Sequence, residues 1–391
     1  MTNYVMMSDE EASFTSFIRH DDLGSYFLLR FPGESTTTNH LYLEDEPIAA
    51  PDYFVGPGTT CYAARARMSQ TAGFVVKFAW REEVAHRERE LLELAKERKV
   101  WGVIRALGWE DLGTILGLRK GILVDHKLCK SMPAAGDGKP TSEYGTPVIN
   151  KEYAPPFIDR TFSCTATYPL GRPINQFETI SEFLEACRDV AKVLRSLYQD
   201  GKILHRDICI ENLIIPVRRI EGEADGVLID LDNALDLERG PARRGRFMAI
   251  GILRGDPHTY RHDLESLFYV FVWIAICNNN NRERDDDGMT TSLRQHSMTS
   301  LLWGWCTTDL RAVSESKSAD MSLEGFLNIL GEFSSEFRRL EGLARRLHGL
   351  LFPVREGAIF TGTDVNLADT NRLYDGVIHV FDEVIISQTQ Q

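Results

Sequence analysis

The stretch from residue 203 to residue 232 constrains this 391-residue chain more than any other. It reads Ile203-Leu204-His205-Arg206-Asp207-Ile208-Cys209-Ile210-Glu211-Asn212-Leu213-Ile214-Ile215, followed shortly by Val227-Leu228-Ile229-Asp230-Leu231-Asp232. Short apolar runs of β character wrap each polar cluster, the pattern of loops held by buried strands. Asp207 is of a kind to accept or orient a proton, while Asn212 and Asp230 offer hard oxygen ligands of the sort Mg²⁺ takes. Leu213–Ile215 and Val227–Ile229 are expected to form a β-hairpin around a charged loop.

The whole chain sets the frame. Its length allows a sizeable core, or two lobes sharing one cleft. A net charge of −13 argues against broad binding to nucleic acid or to anionic membranes, and leaves an anionic ligand dependent on local cations. The cysteines (61, 129, 164, 187, 209, 277, 306) are odd in number, dispersed and without a Cys-x-x-Cys pair. That reads as free thiols in a reducing compartment, not as a disulfide framework or zinc site. The N-terminus has no apolar core of a secretory signal, and the longest apolar run, 267–277, is too short to span a bilayer. Cytoplasmic or nuclear residence is expected.

Residues 1–50 are expected as an N-terminal extension packed on the first lobe. At 53–67, Gly56 and Gly58 between β-like flanks are placed to cover phosphates with backbone N–H groups; taken alone, an ordinary hairpin turn is the plainer explanation. Residues 73–80 form a strand with a central Lys77, either facing solvent or reaching a partner. A charged helix over 81–99 carries Glu88 and Glu90, some 200° apart, so only one can face Lys77. Strands are expected at 103–107, 114–118 and 160–168, and an insertion or mobile loop at 125–155. A capping box at Thr179–Glu182 opens an amphipathic helix that Gly201 ends. An almost wholly apolar helix begins near Arg261, with Asp263 expected to bond the backbone of the 205–212 loop. Further helices are expected over 321–352 and 371–387.

Lys77, Glu88, the His205-Arg206-Asp207…Asn212 loop, Asp230 and the segment from Phe247 to Ser266 together resemble the fungal-type protein kinases. The Asp263-Leu264-Glu265-Ser266 helix is also similar to that of casein kinases. The resemblance covers roughly residues 50–350 and is strongest over 200–275. It implies an α+β, bilobal protein-kinase-like fold: a small antiparallel-sheet N-lobe with one main helix (residues 51–168), and a mostly helical C-lobe with a C-terminal helix (residues 169–391). It implies ATP and Mg²⁺ as cofactors and a protein Ser or Thr as acceptor. By position, Lys77 holds the α/β-phosphates, Glu88 holds Lys77, Asp207 is the catalytic base, and Asn212 and Asp230 bind metal. Gly56 and Gly58 cover the phosphates.

The chain departs from the family pattern at several places. Asp232 stands where a glycine follows the metal-binding aspartate, and Cys209 where a lysine is often found. Cys61 replaces a third loop glycine, and Gly251 stands where a glutamate would make an ion pair. These departures keep two alternatives open: a pseudokinase scaffold, and a small-molecule phosphotransferase of the aminoglycoside or choline type. Residues 231–258 contain no Ser, Thr or Tyr, so phosphorylation cannot order this segment for Arg206. Asp236 or Glu238 is expected to serve as the fixed anion instead. Arg243, Arg244 and Arg246 hint at an acidic substrate, with a solvated charge run the plainer explanation.

Overall fold

The computed structural model describes residues 17–30, 38–50, 58–82, 87–118, 159–237, 247–277, 300–364 and 366–389. Gly56, the expected insertion at 125–155 and Glu238 with the arginines at 243, 244 and 246 lie outside them. Among the described residues no helix is long and apolar enough to cross a membrane, and Cys61, Cys164, Cys187, Cys209, Cys277 and Cys306 are free thiols.

Alternating apolar and polar residues build a seven-stranded antiparallel sheet. Its strands are β1 (Ile18–Asp21), β2 (Gly24–Arg30), β3 (Thr38–Ala49), β4 (Thr60–Ala66), β5 (Phe74–Glu82), β6 (Arg105–Thr114) and β7 (Arg160–Tyr168), ordered β1-β2-β3-β4-β5-β7-β6. Residues 18–30 and 38–49 therefore enter the same sheet as Lys77. Phe27, Leu29, Leu41, Val76, Phe78 and Ala166 bury one face in a common cluster. Because Val76 and Phe78 point into that cluster, Lys77 between them points to the opposite face, where helix α1 (Arg87–Glu97) lies.

Two local expectations shift. Of the helix expected over 81–99, Arg81 and Glu82 instead extend β5 by pairing with Thr161 and Arg160, and Arg87–Glu97 is helical. The expected strand at 103–107 is a longer one, β6, paired along β7 from Arg105↔Tyr168 to Thr114↔Thr161 with irregularities at Leu107 and Leu112, whereas the strand expected at 114–118 does not form beyond Thr114. After the last pair the chain turns into a short helix, α2 (Ile115–Leu118), where Gly117 N donates to Thr114 Oγ1 at 2.9 Å.

The helices are α3 (Ile180–Gln199), α4 (Ile250–Arg254), α5 (Tyr260–Cys277), α6 (Leu310–Asp320), α7 (Leu323–Gly331), α8 (Glu341–Leu351) and α9 (Leu367–Thr389). Thr179 caps α3 by accepting from Glu182 N, and the Glu182 carboxylate accepts in return from Glu178 N at 2.6 Å. Every residue of α5 except Trp273 is buried, as its apolar circumference predicts. Val190 of α3, Phe271 of α5, Leu347 of α8 and Phe381 of α9 share one core. The helix expected over 321–352 is broken into α7 and α8, and Ser334 N in the break donates to Ala275 O at the end of α5 (2.9 Å). The C-terminal helix α9 lies along α3, where Tyr374 buries its ring and donates to Leu194 O.

Short strands hold the central loops: β8 (Gly171–Pro173), β10 (Leu213–Pro216) and β11 (Val227–Leu228) form a sheet ordered β11-β10-β8, and β9 (Ile203–Leu204) pairs with β12 (Leu235–Asp236).

Lys317 of α6 is fully buried. Its Nζ donates to Met248 O at 2.8 Å and lies 4.1 Å from the Tyr269 ring centre. Burial outweighs the attraction of Glu265 and pulls this amine from its ordinary 10.5 down to about 7. The unfolded chain thus binds this proton more tightly than the folded one, so stability is expected to rise as pH increases from about 7 to 10.5. Thermal denaturation across that window checks this: the rise should flatten in Lys317→Met.

Candidate active site

The short sheets fold the polar stretches onto one another. β9 pairs with β12 through Leu204↔Leu235, and β10 pairs with β11 through Leu213↔Leu228 and Ile214↔Val227. His205, fully buried after β9, donates from Nε2 to Ile229 O at 3.0 Å. Ile229 N in turn donates to Asn212 O at 3.0 Å, so the loop at 205–212 and the strand end carrying Asp230 are tied on both sides. Asn212 closes a 3₁₀ turn (Ile210–Asn212), and its Nδ2 donates to Asp207 O at 2.9 Å. That bond commits the amide nitrogen and leaves Oδ1 as an acceptor.

Arg206 (φ 70°) and Asp230 (φ 63°) adopt left-handed backbone conformations, each a strain of about 1–3 kcal/mol for a residue with a side chain. What holds the first is Asp263 of α5, as expected: its carboxylate accepts from His205 N at 2.9 Å and Arg206 N at 3.0 Å. Burial opposes the charge on Asp263, but His258, bonded at 2.7 Å, together with His205 and the Arg206 N–H holds its carboxyl below the ordinary carboxylate value. Of the two carboxylates expected to face Arg206, Asp236 is buried on β12 and Glu238 lies outside the described residues.

Asp232, which stands where the family pattern has a glycine, has no positive φ and donates its N–H to Asp230 Oδ1 at 3.2 Å. A glycine is therefore not required at 232. Although the Asp232 side chain reaches solvent, partial loss of hydration and the negative charge of Glu88 and Asp230, only partly offset by Lys77, push its carboxyl up to about 6.

On the sheet side, Lys77 Nζ meets Glu88 Oε2 of α1 at 3.4 Å, while Glu90 is exposed. Burial disfavours the Lys77 charge, but Glu88, Asp230 and Asp232 outweigh it and hold the amine above its ordinary value. Those contributions also bring the Lys77 end of β5 and the Asp230 end of β11 into one electrostatic neighbourhood. Arg81 was not foreseen. It donates to the same Glu88 oxygen at 2.8 Å, closer than Lys77 does. Its signal lay in the four-residue spacing from Lys77, which puts both on one strand face. Gly58 has φ +57°, which suits glycine at a tight turn. Cys61 lies directly across from Lys77 on β4.

The ion pair missing at Gly251 has a replacement. A Cβ at 251 would lie 2.6 Å from His262 Nε2, so a side chain there would have to displace the buried His262 ring. Glu265 of α5 instead accepts from Ile250 N at 2.7 Å, from Tyr269 OH at 2.7 Å and from Arg261 Nη1 at 2.7 Å, all fully or nearly fully buried. With Lys317 on Met248 O, residues 248–250 are gripped from two sides. Cys209 is half-buried; burial first, then Asp207 and Glu211, push its thiol far up. It brings no positive charge to the loop.

The site thus unites a carboxylate on a rigid loop, an amide oxygen and a second carboxylate beside it, and a charged lysine held by a glutamate. No curated protein matches the chain. A family model described as fungal protein kinase matches residues 1–275, which takes in the sheet, both loops and nearly all of α5. With that match over more than half of its length, the chain belongs to the fungal protein kinase family, whose name marks it as a phosphate-transferring enzyme.

Proposed function

We propose that the chain transfers the γ-phosphoryl group of Mg-ATP to serine or threonine hydroxyls of proteins. The reaction takes place in a cleft between a small sheet lobe (to residue 168, its sheet including β1, β2 and β3 ahead of the expected start at residue 51) and a mostly helical lobe (residues 169–391). The observation that carries this is the Asn212 carboxamide, committed through Nδ2 to Asp207 O at 2.9 Å. Its Oδ1 and the Asp230 carboxylate, linked through the Ile229 N–H on Asn212 O, are hard oxygen donors that suit Mg²⁺. Two protein ligands are what Mg²⁺ takes when water and phosphate oxygens fill its other positions. Among the described residues no cluster of three or more His, Cys, Asp or Glu side chains builds a closed metal cage.

When bound, Mg²⁺ neutralises charge on the phosphate oxygens during transfer. Lys77, charged throughout the physiological range and held by Glu88, binds the α/β-phosphates. The backbone N–H groups around Gly56 and Gly58 cover the phosphates. Asp207 orients the acceptor hydroxyl and takes its proton, while Arg206 ties this loop to the segment after Asp230. With 231–258 free of Ser, Thr and Tyr, the enzyme is active without phosphorylation of that segment. The basic run at 243–246 favours acidic acceptors.

The test is an acceptor panel with γ-labelled Mg-ATP and unphosphorylated full chain: casein, histone, choline and an aminoglycoside, with identification of the labelled amino acid. Label on protein Ser or Thr is expected. Label confined to choline or the aminoglycoside sinks the protein-kinase reading, and a preparation inert until another kinase treats it sinks the claim of constitutive activity.

A further inference from the structure

One asparagine outside the expected set touches the central carboxylate. Asn233 Nδ2 donates to Asp207 Oδ2 at 3.0 Å. Among the described residues no Lys or Arg pairs with the Asp207 carboxylate; its neighbour two residues on is the uncharged Cys209. The aspartate is therefore held by two carboxamides, Asn212 on its main-chain oxygen and Asn233 on its side chain.

The chain delivers Asn233 to this place with little freedom. Leu231 and Ala234 are both fully buried, and Ala234 N donates to Leu231 O at 3.0 Å, closing a tight turn with Asp232 and Asn233 at its tip. The Asp232 N–H on Asp230 Oδ1 locks the entry to that turn. A donor mounted on a turn pinned at both ends can fix a carboxylate rotamer, whereas a free aspartate would rotate about two side-chain torsions.

We propose that Asn233 is a positioning residue for Asp207. Its N–H holds Oδ2 and so presents Oδ1 to the acceptor hydroxyl, the orientation that proton acceptance needs. The bond also joins the Asp230–Asp232 triplet to the Asp207 loop, so the metal-facing and proton-accepting carboxylates move as one unit. This inference rests on the phosphotransfer reading of the site.

The test uses the full chain, Mg-ATP and casein. Asn233→Asp keeps the side-chain volume and Asn233→Leu its branched shape, neither donating a hydrogen bond; Asn233→Ala removes both, and Asn233→Gln keeps the donor on a longer arm. Loss of kcat by about 10- to 100-fold is expected for Leu, Ala and Asp, with KM for ATP nearly unchanged and partial recovery in Gln. A packing role predicts another order, with Leu and Asp near wild type and Ala and Gln impaired; that order overturns the proposal. The bond is also read without turnover, from the side-chain amide resonance of Asn233 in protein labelled with ¹⁵N-asparagine and identified by its loss in Asn233→Leu. One amide proton should be protected from exchange, and the protection should vanish in Asp207→Ala. An unprotected amide, or transfer undiminished in Asn233→Leu, overturns the role of Asn233 alone. A protected amide with no transfer from wild type to any acceptor overturns the phosphotransfer reading, and this role with it.

Discussion

Replacing Asp207 by asparagine is expected to lower phosphate transfer by about two to four orders of magnitude, the usual contribution of a positioned proton acceptor. The substitution is nearly isosteric. The main-chain oxygen that receives Asn212 Nδ2 is untouched, so the loop keeps its anchor. The Asn233 N–H retains a carbonyl oxygen to bond. Nucleotide affinity and melting temperature should therefore stay close to wild type, and steady-state kinetics beside nucleotide titration will check the split. A matching loss of nucleotide binding would mean that Asp207 holds the ligand and does not serve the proton.

The largest stability effect is expected at Glu265. Its carboxylate sits fully buried among Ile250 N, Tyr269 OH and Arg261, and Arg261 itself donates onward to Thr361 O at 3.0 Å. Glu265→Ala strands the Arg261 guanidinium in the core together with a backbone N–H and a phenol, a loss of about 3–5 kcal/mol. Arg261→Ala strands the carboxylate and should cost a similar amount. Because each removes the same pair, the double variant should lose well under the sum of the two. Chemical denaturation of the three variants measures this. Costs near zero, or simple additivity, would mean that the pair does not hold residues 248–250 to α5.

These sites differ in how plainly the sequence announces them. The Asp207–Asn212 spacing and the apolar run before Asp230 were legible because each polar residue interrupts a short buried strand, and strand pairing then places them. Asp263 was legible too, as a carboxylate in the first turn of a mostly apolar helix. Glu88 was preferred to Glu90 on the family resemblance and its spacing from Lys77, since both stand in the first turn of the helix and periodicity alone does not choose. Asn233 and Lys317 were not legible, and Arg81 showed only as a second cation on the Lys77 face of its strand. Each acts through a partner distant in sequence or across a turn, and nothing in local periodicity says which backbone or carboxylate a polar side chain will meet. The same limit explains the strand errors at 103–118: the length of β6 is set by β7, some fifty residues later. The missing glutamate at Gly251 was read correctly as a gap. Its replacement came from within α5, where Arg261 and Glu265 stand one helical turn apart and were taken together as part of an apolar helix.

The measurement that tests the central claim most directly is transfer of γ-labelled phosphate from ATP to casein, with and without Mg²⁺, by wild type and by Asp230→Asn. The account predicts label on protein only when Mg²⁺ is present, and its near-complete loss in Asp230→Asn with the fold intact. Label that is independent of divalent metal, or undiminished in Asp230→Asn, would contradict it.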